Sequence, residues 1–202
     1  DPAAVLGQEV VLAPNARTRL ALVTAYASSR EKALMLATRY RVWSHLEHAV
    51  TAAATLADRE LRDLGFAGDD LANTQRLLGM LVFPPADARV GPPESVAGAP
   101  AALASLWGMG ISGDLPILYL GVAGEADFAL VEQSLRAHQY WRRRGAEVDL
   151  VIVDEEPGGY AAGVRDALLG LVGRHDADRW LGRRGGVFLL RREQVAAAEL
   201  GW

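Results

Sequence analysis

The chain has 202 residues, 21 Lys+Arg against 25 Asp+Glu, no cysteine and 50% hydrophobic residues, for a formal net charge of −4 at pH 7. This composition excludes a disordered tail, a disulfide or Cys-ligated metal scaffold and a thiol nucleophile. Its mild acidity argues against nucleic acid as a partner. No run of about 18 apolar residues occurs, so no membrane span and no direct membrane contact are predicted.

Residues 8–26 read as two strands around a Pro14-Asn15 reversal. Leu20 and Leu22 fall on one face of the second strand and Ala21, Val23 and Ala25 on the other. A hairpin with one wet face would alternate apolar with polar, so both faces here want cover. Either later helices supply it or the strands belong to a larger protein. The Asp1-Pro2 start, without an initiator Met, fits the second expectation.

Helices are expected next. Ser28 with Glu31 and Ser44 with Glu47 fit capping boxes, predicting helices over about 29–42 and 45–64, the second ended by Gly65. Asp69 or Asp70 would cap a third, with Leu71, Thr74, Leu78, Leu81 and Val82 inward. Pro84, Pro85, Gly91, Pro92, Pro93, Gly98 and Pro100 then break all regular structure.

The remainder alternates. ILYLGV (117–122), VDLVIV (148–153) and GVFLLR (186–191) are buried-strand runs. Helices are expected at 125–143, with Phe128, Val131, Leu135 and His138 on one face, at 159–173, and at 192–200. The fold class is therefore α/β: an N-terminal hairpin remnant, a helical linker, and a small parallel three-stranded β-α-β-α-β sheet.

Ligands of open α/β sheets sit beyond the carboxyl ends of the strands. There this chain has Gly121, then Asp154-Glu155-Glu156, then Arg191-Arg192. The carboxylates suit sugar hydroxyls, a metal or acid–base work; the plainer reading is that Asp154 caps a turn and Glu156 is solvated. Gly121-Val122-Ala123-Gly124-Glu125 lacks a third glycine and a Lys-Ser/Thr pair, and Glu125 and Asp127 would repel phosphate. Ser112 sits in no nucleophile elbow. His45, His48 and Glu47 make a poor metal set, because Glu47 points to a different face. No catalytic set, metal site or cofactor is expected. The low-ranking substrate-binding candidates are Trp107, Asp114, Asp154, Glu155 and Tyr160. Tyr119 and Trp141 would join them as stacking faces if the chain were a carbohydrate-binding module, and Asp114 with Glu155 would pair if it were a small enzyme.

The blocks SSREKALMLATRY, LADRELRDLGF, LWGMGISGDLPILYLGV, LRAHQYWRRRGAEVDLVIVDEEPGGY and GGVFLLRR resemble the cyclic β-1,2-glucan synthases, in their carboxy-terminal region related to cellobiose phosphorylase. The resemblance covers almost the whole chain; Gly110–Pro116 and Val148–Ile152 are its specific parts. Such enzymes sit in the inner membrane of Gram-negative bacteria and build β-1,2-glucan from UDP-glucose, a cytoplasmic phosphorylase-like region adjusting its length. The resemblance implies that 1–27 are the terminal strands of a β-supersandwich, 28–98 a helical linker and 99–202 a small α/β module. It implies a non-catalytic segment on the cytoplasmic face whose partners are other domains of the parent chain and β-glucan, with self-association through the hairpin as a further expectation. The family's general acid stands on an (α/α)₆ barrel that these residues do not include, so no catalytic residue is carried over. The chain departs from the family pattern at Asp154, where Asn is usual, and in its Pro-rich loop.

Overall fold

The structure, a computed structural model, describes residues 7–85, 106–155 and 162–195. It divides into two compact units, 1–57 and 58–202. The first contains the Pro14-Asn15 turn, helix α1 (Arg30–Arg39) and the start of helix α2 (Trp43–Asp63). The turn is closed by the Ala16 amide on the Ala13 carbonyl at 3.0 Å, with Asn15 at φ 61°. The expected hairpin stops there: residues 7–26 carry no strand ladder. Two ribbons alone gain too little burial to hold a ladder in water, and Leu22 is left 77% exposed.

Two helix starts also differ from expectation. Ser29, not Ser28, is the N-cap of α1, its side chain accepting from the Lys32 amide at 3.3 Å. Ser44 lies inside α2, whose opening is held by the His45 and Leu46 amides on the Val42 carbonyl and by His45 Nδ1 against the Arg39 carbonyl at 3.1 Å. Gly65 ends α2 as expected. At φ 68° it sends its amide to Arg62 while Phe66 bonds back to Leu61, the paired closure that a left-handed glycine permits.

The second unit is the parallel sheet with its helices. Strands β1 (Ile117–Val122), β2 (Asp149–Asp154) and β3 (Val187–Arg191) lie in the order β1-β2-β3, with Ile117 opposite Asp149 and Leu150 opposite Val187. Helices α4 (Phe128–Arg143) and α5 (Ala162–Arg174) form the crossovers. Adjacent right-handed crossovers in one direction put both helices on one face. There Val131, Leu135, Leu168, Leu171 and Val172 close over Val122, Leu150, Ile152 and Val187. The opposite face carries a smaller cluster: Ile111, Leu106 and Met109 pack with Ile117, Val151, Val153, Phe188, Leu190 and Val195. Helix α3 (Asp70–Val82) brings Leu77, Leu78 and Leu81 against Ala137, Trp141 and Val148, while Val82 stays exposed.

A short 3₁₀ turn, Glu125–Asp127, precedes α4. Of the last expected helix only the turn Arg192–Gln194 is described; residues 196–202 lie outside the described residues, as do 86–105 and 156–161.

Candidate functional site

The carboxyl end of the sheet is built from β1 and the end of β2. Tyr119 and Gly121 share one face of β1 by the period-2 rule. Glu155 follows β2 directly, its amide extending the ladder to the Val122 carbonyl at 2.9 Å. Its side chain turns onto β1, where the Tyr119 hydroxyl donates to Glu155 Oε1 at 2.9 Å. Gly121 makes room for it: a Cβ at that position would lie 2.7 Å from Glu155 Cδ. Burial, reinforced by the Glu155 hydrogen bond and charge, pushes the Tyr119 phenol up to about 12, with Arg192 pulling the other way. The phenol therefore remains a donor at neutral pH.

The loop after β1 keeps its amide for itself. Asp127 Oδ2 accepts from the Ala123 amide at 2.8 Å, and Glu125 starts the same turn. A phosphate would meet two carboxylates where it needs free N–H groups, as the sequence implied.

The sequence candidates separate. Trp107 is 64% exposed, its indole N–H donating to the Ser112 carbonyl at 3.1 Å. Asp114 is exposed beyond Gly113 (φ 77°), and its own amide bonds Ser112 Oγ at 3.3 Å. Asp154 is buried at the end of β2, opposite Val122 and Arg191. Tyr160 lies outside the described residues. Trp141 cannot offer a stacking face: it is 1% exposed and donates its indole N–H to the Thr74 carbonyl at 3.2 Å. Its position three residues after His138 on α4 places it on the buried stripe, which the sequence pattern already permitted. The Tyr119–Glu155 pair was not expected as a pair. Its only signal is the Tyr-x-Gly spacing in β1 with a carboxylate one step past β2.

A second polar cluster lies at the opposite, amino end of the sheet. Gly185 (φ 64°) donates its amide to Asp149 Oδ1 at 2.6 Å. The Gly185 carbonyl lies 3.2 Å from His138 Nε2, which also reaches the Val148 carbonyl at 3.1 Å, and Arg142 bonds the same Gly185 oxygen. The Arg142 guanidinium is stacked 3.6 Å over the Trp180 ring. Burial lowers His138 to about 4, with Arg142 acting in the same direction and the two carbonyls opposing. Burial likewise raises Asp149, against the Gly185 amide and Arg184. These groups are spent on backbone that joins β3 to β2. Among the described residues no group of three or more His, Asp or Glu side chains could hold a metal ion, and no helix is long and apolar enough to cross a membrane.

No family model matches the chain. Over 199 residues, 96% of the chain, it is 30% identical to cyclic beta-(1,2)-glucan synthase NdvB of Rhizobium meliloti (strain 1021), and it spans 7% of that protein's length. The chain thus resembles one short segment of a cyclic β-1,2-glucan synthase and is related to a carbohydrate-active enzyme.

Proposed function

We propose that this chain is a non-catalytic structural segment of a cyclic β-1,2-glucan synthase-like enzyme. It positions the end of a β-supersandwich, residues 1–27, against a phosphorylase-like region on the cytoplasmic face of the inner membrane, and it contacts the glucan. The observation that carries this reading is the row of solvent-facing apolar side chains, Val11, Leu12, Leu20 and Leu22, on unpaired chain, in a sequence matched along 96% of its length to a much longer synthase. Large apolar side chains exposed together along one segment mark an interaction surface, and another domain of the parent chain supplies its cover most simply. Without that domain, the same row would drive self-association.

Exchanging the matching segment of the rhizobial synthase for these 202 residues tests the reading. The exchanged enzyme should make cyclic glucan, and Leu20→Ser with Leu22→Ser should lower both its protease resistance and its product. Undiminished synthesis after plain excision of the segment would overturn it.

A second reading, a stand-alone carbohydrate-binding module, is favoured by the exposure of Trp107 (64%) and Tyr119 (45%). It predicts affinity for linear β-1,2-glucan that Trp107→Ala as well as Tyr119→Ala weakens, together with undiminished synthesis by the parent enzyme after the segment is excised. The small-enzyme alternative needs Asp114 and Glu155 to act as an acid–base pair; loss of turnover at unchanged KM in Glu155→Gln would support it.

A further inference from the structure

With both crossover helices on one face, the other face of the sheet is covered by the segment around Leu106, Met109 and Ile111 and by Val195. That cover packs on Ile117, at the start of β1, and leaves the next two residues of that face of the edge strand, Tyr119 and Gly121, exposed. Here the Glu155 carboxylate is held on two sides: the Tyr119 hydroxyl fixes Oε1, and the bare Gly121 Cα lets the group lie against the strand. The arrangement offers an aromatic ring and a fixed charged acceptor side by side on the uncovered face of the edge strand.

The surrounding charge selects among ligand classes. Asp127 occupies the Ala123 amide, and Glu125 and Glu155 add negative charge that the single Arg192 near Tyr119 only partly offsets, so an anion is disfavoured at the place where a nucleotide phosphate would sit. A neutral polyhydroxylated ring satisfies both features: its C–H face is apolar enough to lie on the phenol ring, and its hydroxyls donate to a carboxylate.

We propose that Tyr119, Gly121 and Glu155 form a subsite for one neutral hexose unit, the Tyr119 ring serving as platform and Glu155 as hydroxyl acceptor. This deepens the glucan contact of the function proposed above and rests on it for the choice of β-1,2-glucan.

Calorimetric titration of the 202-residue chain with a linear β-1,2-gluco-oligosaccharide tests it. Saturable binding at about millimolar Kd or tighter is expected. Tyr119→Ala and Glu155→Gln should each weaken binding by about tenfold, the scale of one lost hydrogen bond to a charged group. Gly121→Ala should weaken it comparably by displacing the carboxylate while both partners remain, whereas Asp166→Asn, exposed on α5, should change nothing. Far-UV circular dichroism confirms that each variant is folded. The absence of binding up to about 10 mM sugar by the folded chain, equal affinity in Glu155→Gln, or preferential binding of inorganic phosphate or UDP would each overturn the subsite. The segment exchange reads assembly and product rather than sugar affinity. A failed titration with a successful exchange removes the subsite alone, and the reverse removes the structural reading alone.

Discussion

Asp149 at the first position of β2 accepts the Gly185 amide two residues before β3 begins, at 2.6 Å and away from solvent. One carboxylate thereby ties the entry of the last strand to the central one. The backbone makes the Gly185 carbonyl available to His138 and Arg142 on α4, so helix, central strand and edge strand meet at a single residue.

Removing that carboxylate orphans a buried N–H. Asp149→Ala should cost about 1–3 kcal/mol, measured by urea unfolding with unchanged m. Asp149→Asn keeps an acceptor oxygen and should cost less. Because the folded-state pKa of Asp149 is raised, its titration favours the native state below the unfolded value, and that contribution is lost as pH rises through the folded one. Asp149→Asn should abolish this loss on raising the pH.

His138 works in the opposite sense. Its pKa falls from 6.5 to about 4 on folding, so the stability it provides is present above the unfolded value and is lost as pH drops between about 6.5 and 4. The loss approaches roughly 3 kcal/mol when complete. Thermal midpoints from pH 7 to 4 should fall on that limb, and His138→Gln should flatten it while lowering stability at pH 7.

Two glycines should respond oppositely to alanine. A Cβ on Gly186 would overlap the Trp180 carbonyl oxygen and lie 2.6 Å from that of Arg183. Both are backbone atoms that cannot rotate aside, so Gly186→Ala should destabilise by about 1–3 kcal/mol or more. Gly79, inside α3, meets nothing within 4 Å, and Gly79→Ala should stabilise by about 0.5–1 kcal/mol. Thermal unfolding of the two variants side by side checks the contrast.

Trp141 anchors α3 to α4 through its indole bond to the Thr74 carbonyl and its place in the cluster on which Leu77, Leu78 and Leu81 pack. Trp141→Ala should cost about 3–5 kcal/mol, and Trp141→Phe, which loses chiefly the hydrogen bond, about 1 kcal/mol. Acrylamide should quench Trp107 and spare Trp141; equal quenching of both would contradict their placement.

The positions of α1 to α5, the three apolar strands and their parallel α/β class were legible in the sequence, because burial on one helix stripe or on both faces of a strand writes a period directly into the residues. The inward side of α4 was read correctly from Val131, Leu135 and His138. The blocks that resemble the glucan synthases were likewise visible in the chain itself. The caps shifted by a residue because Ser28 and Ser29 have the same chemistry, and only backbone geometry picks the one whose oxygen reaches an amide.

Tertiary structure alone decided three other matters. The apolar 8–26 segment has strand-like sequence but no ladder, since pairing needs a partner surface that local pattern cannot supply. Trp141 became core and Trp107 surface, although both are tryptophans on helical turns, because packing against α3 reaches only one of them. Tyr119, Gly121 and Glu155 converge across 36 positions of chain because a parallel register sets Gly121 opposite Val153, two residues before Glu155. Register is a relation between strands, fixed by how the whole sheet closes over its helices, and no single stretch of sequence contains it.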